Sequence, residues 1–189
     1  MSNQLKLAII IGSTREDRFC PIPANWIAQQ ATEHSGFDVD LIDLVDADLP
    51  MHISNTEVPQ VTAMARRIEA ADAYIVVTPE YNHSFPGVLK VAIDHFMQEW
   101  TAKPVGLVSY GGMAGGQRAV EQLRQVFAEL HAPTIRETLS FANFWEKFDD
   151  NGQPIDINLA NAGAKSFLDR LQWWGVTLQE GRAKRPFHN

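Results

Sequence analysis

Short runs of apolar residues alternate with amphipathic segments along this chain, and that alternation constrains the fold more than any single motif. The clearest run is Leu5–Ile11, unbroken and rich in Ile, as expected of a strand buried on both faces. Further strands are expected over residues 37–44, 73–78 and 104–109, with a short fifth over 133–136. Between them lie helical patterns. The first starts at Ile22 or Pro23, runs to His34 and is closed by Gly36. Others cover residues 60–71, 86–100 and 117–131, and a last one covers 159–175. Residues 43–59 are the longest irregular piece, either a plain surface loop or a lid or oligomer contact. About five rounds of strand and helix predict an α/β doubly wound parallel sheet with helices on both faces.

At 189 residues the chain reads as one domain over 1–189, long enough to bury a sizeable core. A formal net charge of -7 and the lack of a basic stripe argue against a nucleic-acid partner. Arg182, Lys184 and Arg185 read as a solvated tail. The single cysteine, Cys20, rules out an intrachain disulfide and fits a reducing cytoplasm. Residues 5–11 are too few for a membrane span, so no membrane insertion is expected. His34, His52, His95, His131 and His188 are scattered without ligand spacing, and no metal site is expected.

Five strands, with a first loop shaped for an anion, favour the flavodoxin-like order 2-1-3-4-5. In that order strands 1, 3 and 4 are neighbours, and the loops at their carboxyl ends meet in one crevice. The first loop carries Gly12, Ser13, Thr14, Arg15 and Arg18, then Phe19, Cys20 and Ile22. Hydroxyls, backbone N–H groups and two arginines at a helix N-terminus suit a phosphate. The alternative is that Ser13 and Thr14 cap the helix while the arginines are solvated. No Walker sequence is present, and no G-x-G-x-x-G, so a phosphate monoester fits better than a nucleoside triphosphate or a dinucleotide. The second loop runs Pro79-Glu80-Tyr81-Asn82-His83-Ser84-Phe85-Pro86-Gly87. Pro79 withholds a ladder donor and so stops the strand, and Pro86 suits a first helical turn. The loop is either a turn or a platform for a flat heterocycle. The third, Ser109-Tyr110-Gly111-Gly112 with Gly115 and Gly116, lets backbone approach a ligand closely, or is a flexible turn. Tyr110 is a ring cover or a core residue. A phosphate at one end and a flat ring system at the other describe flavin mononucleotide.

On Gly12-Ser13-Thr14-Arg15, the Pro79–Gly87 stretch with Leu89-Lys90 and Ala92-Ile93-Asp94, and Ser109-Tyr110-Gly111-Gly112, the chain resembles the NADPH-dependent FMN reductase family of flavodoxin-like proteins. Gly115-Gly116 through Leu123-Arg124 extends the match, which covers most of residues 5–133. The resemblance implies that the loop from Gly12 to Arg18, continuing to Ile22, holds the FMN phosphate. It implies that Pro79–His83 and Ser109–Gly112 border the isoalloxazine, and that the protein is a homodimer or homotetramer with the flavin near a subunit contact. Val91 departs from the family's Asn, and Phe19-Cys20-Pro21-Ile22-Pro23 replaces the usual small polar residues. After about Pro133 the likeness is loose.

With FMN bound, NADPH or NADH would reduce the flavin and a small-molecule electron acceptor, such as a quinone, flavin, azo compound or metal oxyanion, would then reoxidise it. No side chain is expected as an obligatory acid or base. Backbone N–H groups of residues 79–83 would stabilise the added charge. His83 and Glu80 read first as structural or interface residues, and Cys20 as a packed small residue rather than a reactive thiolate. Two other classes stay open. One is a flavodoxin-type one-electron carrier. The other is a flavodoxin-like binding or assembly protein using the aromatic residues 141–148 as its contact.

Overall fold

The computed structural model describes residues 4–54 and 56–187, so His188 lies outside the described residues. Five strands, β1 (Leu5–Ile11), β2 (Phe37–Asp43), β3 (Ala73–Pro79), β4 (Val105–Gly111) and β5 (Thr134–Ala142), form one sheet in the order β2-β1-β3-β4-β5. Every neighbouring pair is parallel. Six helices connect and flank them: α1 (Pro21–Glu33), α2 (Leu44–Ala47), α3 (Pro59–Ala70), α4 (Gly87–Asp94), α5 (Gln117–Glu129) and α6 (Ile157–Lys184). The expected sheet order is the observed one. No helix among the described residues is long and apolar enough to cross a membrane.

The unbroken apolar runs are explained by burial on both faces. Along β1, Leu7, Ile9 and Ile11 pack with Trp26 and Ile27 of α1 and Phe167, Leu168 and Leu171 of α6. Ala8 and Ile10 point the other way, to Met64 and Ile68 of α3, Leu89 and Ile93 of α4 and Leu123 and Phe127 of α5. Alternate side chains of a strand face opposite sides, so a strand covered by helices on both sides has no polar face to show.

Several boundaries differ from the sequence expectation, each for a local reason. β3 ends at Pro79 as expected, one residue later than Thr78: Pro79 pairs with Tyr110, and the Glu80 N–H donates to the Tyr110 carbonyl at 3.1 Å. The Val77 carbonyl faces the β1 side, accepting from the Gly12 N–H. Pro79 points the same way, beyond the end of β1, where no ladder donor is needed. Ser35, at φ 61°, takes the left-handed position after α1, rather than Gly36. α4 ends at Asp94 because Trp100 folds back into the core and donates its indole N–H to the Ile93 carbonyl at 3.2 Å, leaving only a short 3-10 turn at Gln98–Trp100. β5 is nine residues long and α6 reaches Lys184. Arg182 is therefore helical and anchored to the Ala102 carbonyl and to Asp72, not part of a solvated tail.

Candidate functional site

The register of the sheet brings the loops after β1, β3 and β4 to one edge. Residues Ser13, Thr14 and Arg15 of the first face Glu80, Tyr81 and Asn82 of the second, with Pro86, Gly87 and Val88 at the start of α4. Together they enclose an open cleft of about 540 Å³. An apolar shelf built from Leu44, Val45, Leu49, Met51, Val91 and Ala92 continues it past Thr14 and Val88. A larger groove of about 1000 Å³ runs along α5, β5 and α6. That groove lies off the edge strand and gathers none of the three loops, so the smaller cleft is the candidate site.

The first loop is built from its backbone. Ser13 is buried, and its Oγ lies 3.0 Å from the Tyr81 hydroxyl, joining the first loop to the second. The N–H groups of Thr14, Glu16 and Asp17, and those of Phe19 and Cys20 leading into α1, have no acceptor among the described residues. α1 carries no side-chain cap and no acidic residue in its first turn, so its positive end is available to an anion. The two arginines play different parts. Arg18 is tied to Asp43 through both carboxylate oxygens, each at 2.6 Å, and donates to the Ser13 carbonyl at 2.7 Å. This pairing raises its pKa, and Arg18 acts as a strap that shapes the loop. Arg15 is exposed and makes no ion pair among the described residues, which leaves it as the cation for a ligand. Exposed Glu16 and Asp17 lie in the same loop and oppose it.

Residues 81–84 form a two-residue hairpin. The Tyr81 N–H donates to the Ser84 carbonyl at 2.8 Å and the Ser84 N–H returns to the Tyr81 carbonyl at 3.0 Å. Asn82 and His83 at the tip have φ of 50° and 67°, the signature of a type I′ turn. Among residues 79–84, Glu80, Tyr81 and Ser84 spend their N–H groups inside the protein and Pro79 has none, so Asn82 and His83 keep theirs for a ligand. Glu80 accepts from Arg118 of α5, and Gln122 donates to the His83 carbonyl. The cleft-lining residues 86–88 and these two α5 residues were not among the sequence candidates. Pro86 and Gly87 carried a signal in their motif, and Arg118 and Gln122 fall within the Gly115–Arg124 stretch of the resemblance, which assigns them no role.

In the third loop, Ser109 is buried and donates to the Gly115 carbonyl at 2.8 Å. Gly116, at φ 84°, begins α5, and a Cβ there would sit 2.6 Å from that of Ser109. Gly115 and Gly116 thus fold the loop back over β4, while a Cβ on Gly112 would meet nothing within 4 Å. Tyr110 is core: its ring packs on Phe19 at 5.5 Å and Phe144 at 5.2 Å, and burial pushes its hydroxyl pKa upward. Phe19 and Ile22 pack against the same core, and Cys20 is fully buried with its thiol on the Val77 carbonyl at 3.3 Å. Burial pushes the Cys20 pKa up to about 11. The Tyr110 and Cys20 side chains are thus withdrawn from the cleft, while Phe19 and Ile22 are partly exposed.

A doubly wound sheet with unpaired N–H groups and a free arginine at its first loop, beside a rigid hairpin and a glycine loop, defines a flavodoxin-like protein built to hold a phosphorylated ring compound. The donors at the phosphate end and the open space between the loops fit FMN. Residues 5–146 match the family model described as NADPH-dependent FMN reductase. An NAD(P)H-dependent FMN reductase of Schizosaccharomyces pombe is 37% identical over 142 residues, 69% of this chain and 70% of that protein. A 2-hydroxy-1,4-benzoquinone reductase of a Burkholderia species is 38% identical over 183 residues, 90% of this chain and 96% of that protein. Among solved structures, the flavoenzyme NAD(P)H:(acceptor) oxidoreductase FerB of Paracoccus denitrificans superposes with a TM-score of 0.76 at 23% identity, over 92% of this chain and 98% of that one, a likeness of fold. This chain belongs to the NADPH-dependent FMN reductase family.

Proposed function

We propose that the protein is an FMN-dependent NAD(P)H oxidoreductase that passes two electrons from NADPH or NADH to a small-molecule acceptor of the quinone, flavin, azo or metal-oxyanion class. The observation that carries this reading is the meeting of an anion-binding loop and a type I′ hairpin at one open cleft, with the glycine loop after β4 at the same edge of the sheet. FMN, when bound, supplies the ring that accepts and returns the hydride equivalent. The chain's residues position that ring and adjust its charge. Thr14, Glu16 and Asp17 offer backbone N–H groups to the phosphate, and Arg15 offers its guanidinium. Asn82 and His83 offer their N–H groups to charge gained on reduction. The cleft is open, so a nicotinamide and an acceptor can take turns at the same face, which is ping-pong kinetics. No side chain is needed as an acid or base.

Exposed Val45 and Met51, on the apolar shelf beside the cleft, support a homodimer or homotetramer whose contact borders the site. The lone buried cysteine supports a cytoplasmic setting. Arg15→Ala tests the phosphate placement. Losing a charge-assisted contact should raise the FMN dissociation constant by roughly tenfold or more. Unchanged affinity would mean that the phosphate lies elsewhere.

A further inference from the structure

We propose that Arg118 and Gln122 of α5 are positioning residues for the loop that borders the ring, and that Arg118 in addition neutralises Glu80 inside the cleft. The proposal rests on the FMN reading above. Glu80 lines the cleft, and its side chain is only 10% exposed. One of its oxygens accepts from the Arg118 guanidinium at 2.7 Å and the other from the Arg118 backbone N–H at 3.2 Å. The carboxylate therefore sits at the first turn of α5, where the helix end favours negative charge. One turn further on, Gln122 donates to the His83 carbonyl at 2.8 Å and accepts from the Ser84 hydroxyl at 2.5 Å.

These contacts grip the hairpin on both sides of its tip. That tip needs holding, because Asn82 and His83 both adopt a left-handed backbone that costs free energy in a non-glycine residue. α5 also springs directly from the glycine loop after β4, with Gly116 as its cap. The clamp thereby fixes the second and third loops as one body, so their spacing, and with it the slot for a ring, does not depend on the ligand. The charge argument is separate. An uncompensated carboxylate in the cleft would oppose the negative charge that FMN gains on reduction. Arg118 removes that opposition without occupying the cleft itself, since it is not among the lining residues.

The test uses Arg118→Gln, the Arg118→Gln/Glu80→Gln double variant and Gln122→Ala. On FMN-loaded protein the midpoint potential and FMN dissociation constant are measured. On apo-protein the readout is amide exchange at Tyr81 and Ser84, the two N–H groups that close the hairpin. Arg118→Gln should move the potential to more negative values and weaken FMN binding about tenfold. The double variant should restore the potential but not the affinity. Gln122→Ala should leave the potential unchanged and speed exchange at both amides, with the melting temperature of the whole protein unmoved. A wild-type potential in Arg118→Gln, or a shift that Glu80→Gln does not reverse, overturns the neutralisation. Unchanged exchange in both Arg118→Gln and Gln122→Ala overturns the clamp. If wild-type protein takes up no FMN, the functional reading and the neutralisation fall together, while the exchange rates still decide the clamp.

Discussion

His83 holds a left-handed backbone that is costly for a non-glycine residue. A type I′ turn wants glycine at its second central position, and here a histidine stands at φ 67°. Replacing it with glycine removes the left-handed penalty and adds the smaller entropic cost of glycine, so His83→Gly should stabilise the protein by about 0.5–1 kcal/mol. A higher urea midpoint at unchanged slope would confirm this. A lower one would mean that the imidazole makes a compensating contact. Cys20 gives a second test at this scale. Burial of its thiol pushes the pKa up to about 11, so the folded protein holds the unreactive thiol at pH 8. Alkylation by iodoacetamide should be roughly a hundredfold slower in the native protein than in urea. Equal rates would place the thiol at the surface. The two arginines show what sequence alone does not resolve. Arg15 and Arg18 look equivalent in the loop, and only the register of β1 on β2, which sets Asp43 beside Ile11, commits Arg18 to a partner 25 residues away.

Among the elements, those with helices on both sides were the most legible. β1, β3 and β4 carry apolar runs because neither face meets water. β5 extends well beyond the expected residues 133–136: it is an edge strand, half exposed, whose residues Arg136, Glu137 and Ser140 break any apolar run. α6 runs on past Gly175, a residue that reads in sequence as a helix end. It is instead where the helix crosses β1: a Cβ there would lie 2.5 Å from Leu5 Cδ1. Gly106 plays the same part in β4, at the irregularity where β5 shifts register, with Phe167 Cζ 2.4 Å from where a Cβ would stand. Gly106→Ala should cost about 1–3 kcal/mol through overpacking against α6. Denaturant titration measures it, and a neutral result would show that Phe167 moves aside freely.

For the whole molecule, strand order was the most transferable inference, since alternation and crossover handedness leave few arrangements. That order brings three distant loops to one edge, so the place of the site followed from the topology. Its lining did not follow as fully. Tyr110, Phe19 and Cys20 lie next to the site in sequence yet turn into the core, because side chains alternate across a strand and along a helix entry. Arg118 and Gln122 lie on a helix face that meets the hairpin only in the folded chain. The central claim is that this cleft binds FMN and passes two electrons, and the visible spectrum tests it most directly. The purified protein is titrated with FMN and then reduced anaerobically with NADPH. Saturable binding followed by rapid two-electron bleaching, with no stable one-electron state, is the expected result. Absence of FMN binding after reconstitution would contradict the account and leave only the fold.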